Sequence, residues 1–131
     1  MEKTSAQKWE NSLLIYKKHC KQIISISKSI RYVGIINEYG KTLSGAIKSE
    51  IKPLFSRSQI RDESFAVSSF MKLWSNTITS VGKLNYVLIN HQKINALILQ
   101  NNKITYYVTF PANVIPSNLI ITKIKKIIMR V

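Results

Sequence analysis

Apolar residues recur at helical spacing in the first quarter of the chain. The shared positions follow one another at intervals of four and three: Trp9, Leu13, Tyr16, Cys20, Ile23, Ser27 and Ile30. Such spacing places side chains along one face of a helix. The pattern predicts a helix over residues 5–30, capped by Ser5 and lying on a core. Regularity over three heptads also permits pairing with a second chain.

The next segment has the pattern of a β-hairpin. Residues 32–37 are rich in β-branched and aromatic side chains, and residues 41–48 alternate apolar with polar or small positions. Between them, Gly40 can take the positive φ that closes a short turn. We predict an antiparallel pair, in which Gly34 and Gly45 allow helices to pack closely on the strands.

A second helical pattern follows a polar segment that contains Pro53. Residues 49–57 predict a loop or a single helical turn, and Ser58 is the candidate N-cap of a helix over residues 59–79. Its apolar positions are expected on one face: Val67, Phe70, Met71, Trp74 and Ile78. Serines occupy the other faces: Ser64, Ser68 and Ser75.

The last third of the chain predicts three strands and a helix. The strands are residues 83–90, 94–100 and 103–110, and Asn101-Asn102 supplies a two-residue turn between the last two. Several strands are apolar at both alternating sets, so both faces of the sheet are expected to be covered. Ser117 caps a final helix whose inward residues are Ile120, Ile124, Ile127 and Ile128. The order α-β-β-α-β-β-β-α describes one α+β domain over residues 1–131.

The charge balance is strongly basic. Twenty lysines and arginines oppose six carboxylates, for a formal charge of +14, and no carboxylate follows Glu63. This balance favours polyanionic partners: nucleic acid, anionic lipid or an acidic protein face. The abundance of Ile, Lys and Asn together is also typical of drift in base composition. On the last helix, Lys123, Lys126 and Arg130 fall three and four apart and form a candidate phosphate-binding patch, with a solvated helix face as the alternative.

Residues suited to catalysis or metal binding are few. His19 and Cys20 are adjacent on a helix and point to different faces, which argues against a nucleophile pair. His91 is expected in a solvated turn, and Asp62 and Glu63 at a helix start, where negative charge is favourable. The glycines form no phosphate-cradling loop. We therefore expect a protein that is not an enzyme and has no cofactor or metal site.

The location in the cell is predicted from three simple features. A single cysteine excludes an internal disulfide and fits a reducing compartment. No apolar run approaches the roughly 18 residues of a membrane span. The N-terminus MEKTSAQKWENS lacks the apolar segment of a signal peptide. These features predict a cytoplasmic protein without a membrane span.

The order of elements and the stretch GIINEYGKTLSG, residues 34–45, resemble the Roadblock type of the profilin-like superfamily. The chain also resembles an uncharacterised archaeal family of small single-domain proteins that carry this hairpin near the N-terminus. The Roadblock resemblance spans about residues 5–130. It implies a five-stranded antiparallel sheet with the first and last helices on one face and the middle helix on the other.

The resemblance also implies a role. Roadblock-type domains are non-catalytic, commonly homodimerise through the middle helix and the edge strand after it, and serve as platforms or regulators for small GTPases and motor or signalling complexes. In this chain the corresponding dimer surface is residues 59–79 and 83–90, with these side chains: Val67, Phe70, Met71, Trp74, Tyr86 and Leu88. Both segments are apolar on more than one side, and such an edge strand is an aggregation hazard unless paired.

Two alternatives stay open at this point. The middle helix and the edge strand could both pack only within the monomer. The chain could also be a basic, nucleic-acid-associated protein that binds phosphates non-specifically through Lys123, Lys126 and Arg130.

Overall fold

A computed structural model describes residues 4–74 and 78–130 of the protein. Within these residues the elements follow the predicted order, with one short additional helix before the third strand. They are α1 (Ser5–Ile24), β1 (Tyr32–Ile36), β2 (Thr42–Ile47), α2 (Arg57–Trp74), α3 (Ile78–Val81), β3 (Val87–Asn90), β4 (Ile94–Asn101), β5 (Ile104–Pro111) and α4 (Asn118–Ile128).

The five strands form one antiparallel sheet in the order β2-β1-β5-β4-β3. The last strand of the chain, β5, therefore lies at the centre, hydrogen-bonded to β1 and to β4. β2 and β3 are the two edges. β3 is only half as long as the predicted strand over residues 83–90, because its first four residues are irregular.

Helices cover both faces of the sheet, as the strand patterns predict. α1 and α4 lie on one face, where Cys20 and Ile124 belong to the same buried cluster as Tyr106. α2 lies on the other face, where Val67 packs in a second cluster with Tyr107. Since successive side chains of a strand point to opposite faces, neighbouring tyrosines serve different layers.

Both ends of α1 differ from the prediction. The N-cap is Thr4 rather than Ser5: its hydroxyl accepts a hydrogen bond from the backbone of Gln7 at 3.2 Å, and the Gln7 side chain accepts one from the Thr4 backbone at 2.9 Å. This reciprocal pair is a capping box. The helix ends at Ile24, six residues early. There the Ser25 hydroxyl donates to a carbonyl of the preceding turn at 2.8 Å, a bond that competes with helix continuation.

α2 also begins with a capping box, two residues before the predicted cap Ser58. The side chains of Ser56 and Gln59 accept hydrogen bonds from each other's backbone amides, at 3.2 and 2.8 Å. The described helix ends at Trp74, and the predicted end, Thr79, lies in α3. The signal for both helix starts is therefore Ser or Thr followed three residues later by Gln.

The face of α2 that contacts the sheet agrees with the prediction at Val67 and Met71 and differs from it at the other positions. The buried positions follow helical spacing: Ser64, Val67, Ser68 and Met71. The sequence pattern places the two serines on other faces. Phe70 and Trp74 lie on the exposed side instead, and Ile78 is exposed in α3. Ser75 lies outside the described residues. Ser64 and Ser68 are buried although they are polar, which an apolar pattern does not predict.

The turn between β4 and β5 is shifted by one residue from the prediction. Asn102 and Lys103 have positive φ angles of 49° and 67°, as a primed two-residue turn requires, and Asn101 pairs with Ile104 as the last strand position. The Asn101 side chain donates to the carbonyl of Ile128 at the end of α4, at 3.2 Å. This bond holds Asn101 in the strand.

Two glycines of the first hairpin leave room for an aromatic ring and not, as predicted, for a closely packed helix. Gly34 faces Gly45 across β1 and β2. A Cβ at Gly34 would lie 2.7 Å from the Tyr32 hydroxyl oxygen, and one at Gly45 would lie 3.2 Å from the same atom. The Tyr32 ring thus covers the space left by both missing side chains, and the prediction of close helix packing at these glycines is wrong.

Candidate interaction surfaces

An apolar surface lies on the exposed side of α2. The rings of Phe70 and Trp74 stack with centroids 5.7 Å apart and planes at 29°. Leu73, one turn after Phe70, is 68% exposed, and Phe70 is 54% exposed. These three residues define what we call the α2 surface. Several large apolar side chains left together in solvent mark an interaction site more often than a monomer's free face.

The α2 surface continues towards the β3 edge. Trp74 lines a groove of about 250 Å³ together with Ile78 of α3 and Leu84 before β3, and much of the remaining wall is polar: Lys83, Gln100, Asn101 and Asn102. Trp74 therefore lies beside the segment that leads into β3.

The edge strand β3 presents apolar side chains on both of its faces. Val87 and Ile89 pack against the α2 layer. Leu88 lies opposite Leu97 of β4, which faces the α1 and α4 layer, and remains exposed. Tyr86, directly before the strand, is exposed as well. Unpaired backbone groups on an apolar edge are a template for strand addition.

The six side chains expected in a dimer surface divide into two groups. Val67 and Met71 are 3% and 4% exposed and pack on the chain's own sheet. Four others lie at the molecular surface: Phe70, Trp74, Tyr86 and Leu88. Leu73 was missed by the sequence reasoning. The segment FAVSSFMKLW is apolar around much of the helix, and that breadth was the available signal.

A polar cluster links α2 to the sheet. The Tyr107 hydroxyl donates to a Glu63 carboxylate oxygen at 3.0 Å, and the imidazole of His91 lies 3.7 Å from the same oxygen. Burial, and then the negative charge of Glu63, raise the pKa of Tyr107. Asp62 and Glu63 lie in the second turn of α2 and not at its start, where they were predicted. Glu63 ties α2 to β5 and to the β3–β4 turn.

A second buried pair joins the other layer to the sheet. The Nδ1 atom of His19 lies 2.7 Å from the Tyr106 hydroxyl oxygen. Burial lowers the pKa of His19 and raises the pKa of the adjacent Cys20 thiol. A buried thiol that resists ionisation is a poor nucleophile. In the described ranges, no three His, Cys, Asp or Glu side chains come together as metal ligands would.

The cations proposed for polyanion binding lie on the outer side of α4. Lys123, Lys126 and Arg130 are all exposed, and Lys125 is half-buried.

Within residues 4–74 and 78–130, no helix is both long and apolar enough to cross a membrane.

Sheet order, helix layers and element order together define the Roadblock-type fold. A Roadblock/LC7 domain from Streptomyces avermitilis has a similar structure, with a TM-score of 0.66 and 6% identity over 86% of this chain and 90% of that chain. An MglB in a tetrameric arrangement gives a TM-score of 0.65 at 9% identity, over 98% and 89% of the two chains. The gliding protein MglB from Thermus thermophilus gives 0.64 at 8% identity, over 97% and 88%. At such identities the likeness concerns the fold alone. No protein-family model and no curated protein matches the sequence.

Proposed function

We propose that this protein is a non-catalytic, homodimeric interaction module that presents a platform to a protein partner. The observation that carries the proposal is the exposed Phe70–Trp74 stack beside Leu73, next to an apolar edge strand. Burying these groups between two copies removes them from water and pairs the free edge of β3. A protein of similar fold, MglB, occurs in a tetrameric arrangement, which agrees with self-association.

The proposed dimer has a defined geometry. Antiparallel pairing of β3 with its copy places a two-fold axis perpendicular to the sheet, because only that rotation reverses the strand direction while keeping each face on its own side. The two sheets then form one continuous layer. The two α2 helices meet on one side of it, and Leu88 meets its copy on the other side.

The partner proposed for this platform is a small GTPase or another signalling protein, as the Roadblock resemblance implies. The charge on the α2 side is compatible with such a partner, since α2 carries three cations and two carboxylates. Calorimetric titration with a small GTPase from the same genome, loaded with GDP or a GTP analogue, tests this part. Equal heats with and without the GTPase would reject it.

Sedimentation equilibrium of the full chain tests the dimer. We expect a dimer at micromolar concentration that Phe70→Glu and Leu88→Lys each convert to a monomer. Phe70→Glu places a charge in the α2 surface, and Leu88→Lys brings two like charges together across the two-fold axis. Helical geometry places Phe65 about 140° around α2 from Phe70, and it is also highly exposed.

Phe65→Glu is therefore a matched control that should leave the dimer intact. A wild-type chain that sediments as a monomer at 50 μM would reject the proposal. So would equal effects of the Phe65 and Phe70 substitutions, because the interface would then not lie on the side of α2 facing β3.

A further inference from the structure

The layer formed by α1 and α4 holds a concentrated positive charge. The two helices and the residue after Met129 carry eight cations: Lys8, Lys17, Lys18, Lys21, Lys123, Lys125, Lys126 and Arg130. The same segments contain one carboxylate, Glu10, whereas α2 is nearly balanced. Drift in base composition would enrich both helix layers in lysine to the same extent. The concentration on one layer therefore points to a partner.

These cations are available to a partner. Seven of the eight are exposed, and Lys125 is half-buried. In the described part of the chain, His91 lies close to Glu63 and Lys103 forms an ion pair with Glu38, and neither contact involves this layer. A dense set of like charges with only one carboxylate among them repels itself and attracts a polyanion.

Large apolar side chains stand among the cations. Leu14 on α1 and Leu119 on α4 are each 64% exposed, and Met129 is 67% exposed. Leu14 precedes Lys17 by three positions, and Met129 follows Lys126 by three, so each pair shares a helix face. The outer face of each helix thus combines aliphatic side chains with ammonium groups.

This combination fits a lipid surface better than a nucleic acid. Aliphatic side chains gain free energy when they enter the headgroup region, while lysines reach the phosphates from the same depth. A nucleic-acid backbone offers no comparable apolar environment. Stacking of successive bases requires several exposed aromatic rings, whereas Tyr106 and Tyr107 are buried in the sheet and Trp9 is the single exposed aromatic residue on α1 and α4.

We propose that the outer surface of α1 and α4 binds the anionic phospholipid surface of a bilayer through its cations and through Leu14, Leu119 and Met129. The surface belongs to a single chain. The presence of two such surfaces side by side rests on the proposed function. In the proposed dimer, the two-fold axis perpendicular to the sheet places both α1/α4 layers on the same side, opposite the α2 helices. A dimer then docks with two basic surfaces while its α2 side faces away from the bilayer.

Vesicle flotation with the full chain tests the electrostatic part. We expect binding to vesicles of 30% phosphatidylserine in phosphatidylcholine at 50 mM NaCl, weakening steeply at 300 mM, and none to pure phosphatidylcholine. One cation near such a surface contributes roughly fivefold in affinity, so K123E/K126E/R130E should weaken binding by at least about 100-fold.

The matched control is K41E/K52E/K93E, which makes the same change in net charge at three exposed positions outside α1 and α4. It should weaken binding by no more than about fivefold. Equal losses in the two triple variants would overturn the proposal, since net charge alone would then account for binding. Absence of binding to the anionic vesicles at 50 mM NaCl would overturn it as well.

A second pair of measurements separates lipid from nucleic acid. L14S/L119S should weaken vesicle binding several-fold and leave binding to a 20-base-pair DNA duplex unchanged. Tighter binding to the duplex than to vesicles, with both unaffected by L14S/L119S, would overturn the proposal in favour of nucleic acid. Sedimentation of the same samples keeps the dimer question separate: a monomer that binds anionic vesicles supports this surface while rejecting the dimer.

Discussion

Replacing Gly40 with alanine tests how the first hairpin is fixed to α2. Gly40 closes the β1–β2 turn with a φ of +83°, a conformation that L-residues rarely adopt. A Cβ built on it would lie 2.8 Å from the Cα atom of Phe65 and 3.2 Å from its backbone nitrogen. These atoms belong to the α2 backbone and cannot rotate away. The alanine must therefore push the hairpin and the helix apart.

An alanine at Gly40 loses stability through backbone strain and through overpacking. Gly82 separates the two effects because an alanine there meets the backbone strain alone. The left-handed conformation disfavours alanine by about 1 kcal/mol. Overpacking against a rigid neighbour adds about 2 kcal/mol. Gly82 has a φ of +85° but nothing within 4 Å of its Cβ position. We expect Gly40→Ala to lower the free energy of unfolding by about 3 kcal/mol and Gly82→Ala by about 1 kcal/mol.

Urea denaturation at one fixed protein concentration measures both variants, because self-association makes stability depend on concentration. The difference of about 2 kcal/mol corresponds to a difference in Tm of roughly 8 °C for a chain of this length. Equal losses in the two variants would refute the reasoning, since the contact with α2 would then add nothing to the backbone strain.

Three further predictions concern the turn and the buried titratable groups. Lys103→Gly should raise the free energy of unfolding by about 1 kcal/mol in urea, because Lys103 has a φ of 67° and its exposed ion pair with Glu38 contributes little. Stability should fall as pH decreases from 7 to 5.5, because burial lowers the pKa of His19 and the unfolded chain then binds the extra proton; His19→Gln should flatten that slope. Stability should also fall above pH 10, where unfolded tyrosines ionise while burial raises the pKa of Tyr106 and Tyr107; a double Phe variant with an equally steep decline would contradict this.

Local chemistry was enough to predict most elements of the fold. The hairpin around Gly40 and the N-cap Ser117 follow from short-range preferences, and the structure confirms both. One error arose where two serines competed for the N-cap of α2. Ser56 caps α2 while Ser58 lies inside it, because Gln59 completes the capping box.

The interaction surfaces depend on packing that the sequence does not encode locally. Val67 and Phe70 are three positions apart on α2 and equally apolar, yet one is buried and the other exposed. Only the direction from which α2 meets the sheet separates them. Glu63 and Tyr107 are 44 positions apart, and no local pattern links them. The concentration of charge on α1 and α4 likewise emerges only when the first and last helices share a layer.

The central position of β5 has a consequence for how the chain acquires its structure. β1 and β2 form one hairpin and β3 and β4 another, and β5 is the strand that joins them. Until residues 104–111 have been synthesised, a nascent chain can hold two separate hairpins but no continuous sheet. We therefore expect the sheet to become continuous only after residues 104–111 have emerged, because β4 lacks its second neighbour until then. A truncation after residue 103 should aggregate rather than yield a smaller folded unit.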